Sequence, residues 1–223
     1  MLTAHALMLL VLSTDGGWTR AGDEEGILVE QRRESGSQVR ELRAEGVIDA
    51  PPAACLAVVR DTGFFRRSMP FVEVAEVVGR EGESVIYFHT RVAPPLCSAR
   101  ESTVRVWVEP LPGTDAGWRQ AWTIANDRGP APASDAILVP MTSGSWEFHA
   151  IEGGRRTRAR YRIESDPGGD LPGWLIDRGN ASAVLDAYRE LRRSSAPTVR
   201  QATRETGSVS QELERDPAAG AGQ

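Results

Sequence analysis

The chain lacks lysine altogether, since every one of its 26 basic residues is an arginine. This absence excludes a Schiff-base nucleophile and the phosphate-gripping lysine of a P-loop, and it is typical of a GC-rich bacterial genome. Histidine and cysteine are scarce, and the spacing of His5, His89, His149, Cys55 and Cys97 is not that of a zinc site. No nucleophile elbow, dinucleotide fingerprint or metalloprotease motif occurs either. The sequence therefore predicts a protein that is not an enzyme and that uses no metal or cofactor.

Excess positive charge and long apolar runs are also missing. The formal net charge is −5 and the isoelectric point lies near 5.4, whereas nucleic-acid-binding proteins usually carry a basic surface, so no nucleic-acid partner is expected. The apolar run at residues 4–12 is too short to cross a bilayer as a helix, so no integral membrane segment is expected. With 223 residues, of which 40% are hydrophobic, the chain is long enough for one globular domain. No pattern indicates an oligomeric state.

The two ends of the chain differ in composition from its middle. Residues 4–12 have the length of a signal-peptide core, yet no basic residue precedes them, and residues 14–17 do not resemble a cleavage site. Residues 1–17 are therefore either a signal peptide, which would place the protein in the periplasm or outside the cell, or a disordered leader of a cytoplasmic protein. Residues 194–223 hold little that could be buried and predict a disordered tail. A single domain is expected over residues 18–193.

Strict alternation marks residues 156–164 as an antiparallel strand. Arginine occupies every even position from 156 to 162, and the other face carries Thr157, Ala159, Tyr161 and Ile163. Gly153-Gly154 just before it predicts a hairpin turn, so the partner strand is expected at residues 145–151, either alone or continuous with 137–141. Further runs of strand character occupy residues 27–33, 38–49, 71–78, 84–92, 102–109 and 119–125.

Three segments have helical character. Pro51-Pro52 behind Asp49 predicts a helix to Arg60 with an acidic cap and proline in its first turn. Residues 63–68 predict a second short helix or turn. The last helix is expected from residues 170–172 to Arg193 with a kink at Gly179-Asn180, because an internal glycine costs about 1 kcal/mol relative to alanine. Its apolar stripe consists of Trp174, Ala181, Val184, Leu185, Tyr188 and Leu191.

The order of these elements, together with several separated motifs, resembles the START (steroidogenic-acute-regulatory-related lipid-transfer) domain family in its bacterial form. The resemblance covers residues 18–193 and rests on Trp18 ahead of Asp23-Glu24-Glu25-Gly26-Ile27-Leu28-Val29, on Glu45-Gly46-Val47-Ile48-Asp49-Ala50-Pro51, on Pro94-Pro95-Leu96-Cys97-Ser98-Ala99-Arg100-Glu101, and on Asp166-Pro167-Gly168-Gly169 with Leu171-Pro172-Gly173-Trp174-Leu175. It implies an α+β helix-grip fold of the Bet v 1-like superfamily. In that fold a curved antiparallel sheet wraps around a long C-terminal helix, with one or two short helices after the second strand.

The resemblance also implies a function, which is non-enzymatic binding of a single lipid or other apolar small molecule in a cavity between the sheet and the last helix, as a carrier or sensor. In many members the mouth loop carries a tryptophan between prolines, whereas here it reads Ala93-Pro94-Pro95-Leu96, and Glu101 replaces the usual aspartate. The missing tryptophan weakens the expectation that the protein extracts lipid from a bilayer and leaves transient membrane contact open. In an exported protein Cys55 and Cys97 could form a disulfide that pins this loop; in a reducing compartment they would pack as small apolar side chains.

Candidate site residues follow from the same resemblance. The cavity candidates on the strands are Tyr87, Arg105, Trp107, Trp122, Trp146 and Tyr161, and those at the lid and mouth are Leu96, Arg100, Trp174, Leu175, Val184, Leu185 and Tyr188. Core packing is the alternative role for each aromatic side chain. Arg105 shares a face with Trp107 and enters the cavity only if the pleat turns that face inward. The reverse pleat is the interpretation we favour, with three residues inside, Val104, Val106 and Val108.

Two other functions are open at this point. A polyketide cyclase or aromatase on the same fold would need polar groups inside the pocket, for which the candidates are His89, His149, Arg105 and Tyr161. A module that binds a protein partner would have a pocket closed by its own side chains. The volume of the cavity and the facing of those polar residues discriminate between these functions and simple ligand binding.

Overall fold

The computed structural model describes residues 17–33, 39–95, 97–112, 117–169, 171, 179 and 181–196. The strands are β1 (Thr19–Glu24), β2 (Ile27–Arg32), β3 (Arg40–Ile48), β4 (Val72–Glu81), β5 (Val85–Val92), β6 (Ala99–Pro110), β7 (Trp118–Ile124), β8 (Ala136–Leu138), β9 (Met141–Ile151) and β10 (Arg156–Asp166). The helices are α1 (Pro52–Arg60), α2 (Gly63–Ser68) and α3 (residues 181–196). The residues 1–16 of the expected leader, the tail from residue 197 and Asn180 of the expected kink lie outside the described residues. None of the helices in the described part of the chain is long and apolar enough to cross a membrane.

One sheet organises the described residues. Nine strands pair antiparallel in the order β1-β2-β3-β10-β9-β7-β6-β5-β4, and β8 pairs in parallel with the start of β6. The helices α1 and α2 follow β3, and α3 is the last element of the described residues. This order confirms the predicted helix-grip fold. The strand β1 was not predicted, because Thr19–Glu24 has no alternation of apolar residues. Because of this additional strand, the two short helices follow the third strand and not, as predicted, the second. Residues 136–138 pair with β6 and are not continuous with β9.

The strand β10 shows how the alternation of the sequence builds this sheet. It lies between β3 and β9, and Thr157 and Ala159 on its inner face are fully buried. Two arginines of its outer face form ion pairs with glutamates of β3. Arg160 lies 2.8 Å from Glu45, and Arg162 lies 3.1 Å from Glu41. Exposed pairs of this kind contribute about 0–1 kcal/mol each, so the buried face supplies most of the stabilisation.

The helix α1 packs on the sheet through a continuous apolar face. Its proline-rich start suits the first turn of a helix, where the missing N–H group costs nothing. The predicted acidic cap is wrong, because Pro51 precedes the first turn without any side-chain cap and Asp49 pairs instead with Arg156 at 2.6 Å. The chain entering the helix is held by the Thr157 hydroxyl, which donates to the Ala50 carbonyl at 2.7 Å. The buried residues of the helix are Pro52, Cys55, Leu56, Val58 and Val59.

Tyr188 fastens α3 to the centre of the sheet. It is fully buried, and its hydroxyl lies 3.0 Å from the Ala44 carbonyl oxygen and 2.9 Å from that of Ala159. Gly46 makes room for the ring, since a Cβ atom there would lie only 3.1 Å from the Tyr188 Cε1 atom. The ring centroid of Trp146 is 5.0 Å away. One side chain therefore joins α3 to β3, β9 and β10.

We expect Tyr188→Phe to lower the free energy of unfolding by about 1–2 kcal/mol, because the buried hydroxyl is removed while the ring is kept. Urea denaturation of the variant and the wild-type protein measures the difference. Tyr161→Phe is the matched control, since the Tyr161 hydroxyl forms no hydrogen bond with any residue that the structure describes. Equal losses in the two variants would contradict a specific role for the Tyr188 hydrogen bonds.

Candidate functional site: a cavity between the sheet and the helices

A cavity of about 410 Å³ lies between the concave face of the sheet and the helices α1, α2 and α3. Most of its wall is apolar. The helices contribute Val59, Phe64, Phe65, Met69, Val184 and Ala187, and the strands contribute Leu42, Val77, Ile86, Phe88, Val104, Val106, Val108, Trp122, Trp146, Tyr161 and Ile163. The site is therefore a space that suits an apolar molecule.

The pleat of β6 turns its valines toward the cavity. Val104, Val106 and Val108 line it, and Val106 pairs in register with Ile86 on β5 and with Trp122 on β7. Both of these neighbours also line the cavity. The middle of the cavity wall is thus formed by apolar side chains from three adjacent strands.

Tyr87, Arg105 and Trp107 lie on the opposite face of the same strands, which corrects their assignment to the cavity. The Tyr87 hydroxyl donates to Glu81, and Arg105 reaches the same carboxylate at 3.5 Å. The Arg105 guanidinium also lies over the Trp107 ring, 5.4 Å from its centroid. The outer face thus also carries aromatic side chains in specific contacts, so the presence of an aromatic residue does not by itself identify the face that lines the cavity.

Three of the predicted aromatic residues line the cavity together. The Tyr161 ring centroid is 4.7 Å from that of Trp146 and 5.8 Å from that of Trp122. Burial raises the pKa of the Tyr161 phenol, which therefore stays neutral at physiological pH. The cluster presents flat apolar surface with one neutral hydroxyl, a surface suited to hydrophobic contact.

Only some of the predicted lid and mouth residues line the cavity in the structure. Arg100 and Val184 line the cavity. Leu185 and Tyr188 are buried in the core cluster instead, where they hold α3 on the sheet. Leu96, Trp174 and Leu175 lie outside the described residues.

The helix α2 supplies wall residues that the sequence did not reveal. Phe64, Phe65 and Met69 line the cavity, and the Phe65 ring meets the Phe88 ring edge-to-face at 5.9 Å. A helix of six residues is too short to show helical periodicity. The apolar content of residues 63–69 was the only available signal.

An ion pair joins α2 to α3 across one side of the cavity. Glu190 on α3 is 2% exposed and accepts from Arg67 at 2.6 Å, from Ser194 at 2.7 Å and from Arg193. Burial alone would raise the pKa of Glu190, but the hydrogen bonds from Arg67, Ser194 and Arg193 outweigh it and hold the pKa below its usual value. The carboxylate is therefore charged at neutral pH and holds the two helices together.

We expect this pair to make the protein less stable in acid. Because the pKa of Glu190 is lower in the folded than in the unfolded protein, its contribution is complete above about pH 4.3 and is lost as the pH falls through the folded value. Urea denaturation between pH 3 and 7 should show a steeper acid loss for the wild-type protein than for Glu190→Gln. Arg67→Gln should lower stability at pH 7 and approach the wild-type protein at low pH. Parallel curves for all the proteins would contradict the prediction.

The histidines and cysteines of the described residues, which were the remaining candidates for catalytic or covalent chemistry, do not line the cavity. His89 is buried on the outer side of β5 with its Nδ1 atom 3.0 Å from the Thr103 hydroxyl, and the Nε2 atom of His149 lies 3.3 Å from Glu147. Cys55 and Cys97 are both free thiols. Burial raises the pKa of the Cys55 thiol to about 11, so it packs as a small neutral side chain.

Known proteins are similar to this chain in sequence and in fold. An uncharacterized protein of Pseudomonas aeruginosa is 24% identical over 181 residues, which cover 80% of this chain and 86% of the relative. A STAR-related lipid transfer protein fragment from Xanthomonas axonopodis is 25% identical, with a TM-score of 0.69 over 81% of this chain and 99% of the fragment. Human StAR-related lipid transfer protein 5 superposes with a TM-score of 0.71 over 83% of this chain and 89% of its own, at 16% identity, which shows the fold alone.

The family itself is shown by the sequence. Residues 40–196 match the model of the family described as polyketide cyclase / dehydrase and lipid transport. This span runs from β3 to the end of α3 and includes every strand that lines the cavity. The predicted START resemblance is thereby confirmed: the chain belongs to the polyketide cyclase / dehydrase and lipid transport family, within the START (Bet v 1-like) superfamily.

Proposed function

We propose that the protein binds a single lipid or other apolar small molecule in the cavity and acts as a carrier or sensor without chemistry. The observation that carries the proposal is the apolar cavity of about 410 Å³ between the sheet and the helices. Its volume falls within the roughly 300–1,000 Å³ range of small-molecule sites. Membership of a family that includes lipid transport supports the same class of ligand.

The favourable free energy of binding would come from transferring apolar surface of the ligand out of water. Each Å² contributes about 25 cal/mol before the cost of ordering the ligand. The inner faces of β5, β6 and β7 offer such surface in Phe88, Val106 and Trp122. Flat rings and branched side chains select ligands by shape, without chemistry at any group.

The facing of the polar residues favours binding over catalysis. A cyclase would need its acids and bases inside the pocket, yet His89, His149 and Arg105 lie on strand faces that do not line the cavity. Tyr161 is the one member of that predicted set in the wall, and burial keeps its phenol neutral. The two carboxylates among the wall residues, Asp61 and Glu83, are exposed. The volume of the cavity also argues against a pocket closed by its own side chains, which the protein-partner alternative requires.

A titration of delipidated full-length protein tests the proposal. A fatty acid, a sterol and a phospholipid are added separately while tryptophan fluorescence is followed, because Trp122 and Trp146 lie in the cavity wall. We expect at least one ligand to produce a saturable change with one site per chain. If no ligand of the panel gives a saturable change, the proposal is wrong.

A further inference from the structure

One end of the cavity is polar and at least half-buried, whereas the other charged residues of the wall are exposed, namely Arg60, Asp61, Arg80 and Glu83. We call this end the polar end, and it consists of Arg100, Thr90, Ser102, Thr142 and Ser165. The strand register places these residues close together: Arg100 and Ser102 alternate on β6, Thr90 pairs with Ser102, and Thr142 pairs with Ser165. The residues on β5 and β6 form one group, and those on β9 and β10 form another. Strand β7 lies between the two groups, since it pairs with β6 at Val104 and with β9 at Ser143.

The Arg100 guanidinium at this end is only partly satisfied. Its Nη1 atom donates to the Ser98 carbonyl at 2.5 Å and its Nη2 atom to the Gly168 carbonyl at 3.5 Å. The Nε atom is buried and has no hydrogen-bond partner within the described part of the chain. The two groups that the guanidinium binds are neutral backbone carbonyls, so its positive charge has no carboxylate partner among the described residues.

The nearby acidic residues on the strand ends are already engaged. Glu101 turns to the other face of β6, where it binds Arg91 at 2.7 Å and the backbone N–H group of Ala133 at 3.1 Å. Asp166 accepts from the backbone N–H group of Gly168 at 2.8 Å. A partly buried positive charge without a counter-ion costs a protein free energy, and an anionic group of a ligand would reduce that cost.

The hydroxyl groups of the polar end complement the guanidinium. The Thr90 and Ser102 hydroxyls lie 3.1 Å apart, and either of them has a proton to donate. Guanidinium and hydroxyl donors together suit an anionic oxygen, because hydrogen bonds to a charged acceptor are the strongest of their kind. Farther along β6, the side chains of Val104, Val106 and Val108 offer apolar contact.

We propose that the ligand is an apolar molecule with an anionic oxygen head group, a carboxylate or a phosphate, which accepts from the Arg100 guanidinium at the polar end while its apolar chain lies among the apolar residues. This inference rests on the proposed function and specifies the class of ligand. It follows that the protein discriminates by head group between ligands whose apolar chains are of equal length.

The first arm of the test uses the wild-type full-length protein and a matched ligand series. Dodecanoic acid, dodecyl phosphate and 1-dodecanol share one chain and differ in the head group, and calorimetric titration of the delipidated protein measures the affinity of each. We expect one of the two anions to bind roughly 30-fold more tightly than the alcohol, as for a buried charge-assisted pair. The order of the two anions separates a carboxylate from a phosphate ligand.

The second arm compares two substitutions on the same strand. Arg100→Gln should reduce the affinity for the preferred anion to that for 1-dodecanol, while Arg105→Gln, on the outer face of β6, should leave the ranking unchanged. Thermal unfolding checks that each variant is folded, and if Arg100→Gln does not fold, the wild-type series decides alone.

Two outcomes overturn different statements. Equal binding of the alcohol and both anions by the wild-type protein, or an unaltered preference in Arg100→Gln, would overturn the head-group inference and leave the proposed function standing. Failure of every member of the series to bind, together with failure of the sterol and phospholipid, would overturn the proposed function.

Discussion

A Val106→Trp variant is expected to lose ligand binding, with an affinity reduced by roughly 100-fold or more, while it remains folded. Val106 stands in the middle of the cavity wall between Ile86 and Trp122. An indole ring at this position would occupy the space that the ligand needs. Since the ring fills a cavity and does not invade packed core, the free energy of unfolding should stay unchanged or increase.

The matched control for this variant is Arg105→Trp. Position 105 is the next residue along β6 and faces the other side of the sheet, where Arg105 pairs with Glu81. The same new side chain should there leave ligand affinity unchanged. Calorimetric titration of both variants with the tightest ligand of the panel gives the comparison. Equal affinities in the two variants would show that the space beside Val106 is not the binding site.

Gly144→Ala is expected to destabilise the protein by about 3 kcal/mol, which is a large part of the stability of a typical domain. Gly144 lies on β9, where a Cβ atom would approach the Arg162 carbonyl oxygen to 2.3 Å and the Trp122 Cζ2 atom to 2.4 Å. The first of these neighbours is backbone in the paired strand β10 and cannot move without breaking the sheet. Urea denaturation of the variant measures the loss.

Gly22→Ala is the control for the effect of an added methyl group in a strand of the same sheet. A Cβ atom at position 22 would meet the Leu185 Cδ1 atom at 3.6 Å, which is ordinary van der Waals contact. We expect its stability to remain within about 1 kcal/mol of the wild-type value. A similar loss in both variants would show that the close approach at Gly144 is not what makes that position sensitive.

The strands could be predicted wherever one face is buried and the other is solvated. In β10 every second residue from 156 to 162 is an arginine that reaches a carboxylate on the outer face, so the alternation of the sequence revealed the inner face. In β1 the residues are mostly exposed, and no hydrophobic pattern marked the strand. Local alternation predicts a strand only when burial differs between its faces.

The pleat favoured for β6, with its valines inside, agrees with the structure, but the assignment of Tyr87 and Trp107 to the cavity was wrong for a related reason. Trp107 and Tyr87 are bulky aromatic residues, yet they lie on the outer face under Arg105 and Arg128 respectively, with the guanidinium carbon atoms 5.4 Å and 4.6 Å from the ring centroids. Cation–π contacts with arginines cover these rings on the outer face. The smaller valines line the cavity, because space for a ligand requires short side chains. Large size is therefore a poor guide to cavity lining.

The central claim is that the cavity holds one apolar ligand. Native mass spectrometry of the full-length protein purified from a bacterial host, compared with Val106→Trp purified in the same way, tests it most directly. The account predicts that the wild-type protein carries one additional mass per chain, released by organic extraction as an apolar molecule or acquired from a lipid mixture, and that Val106→Trp carries none. A wild-type protein that carries no such mass and acquires none from the mixture, or a variant that carries it equally, would contradict the account.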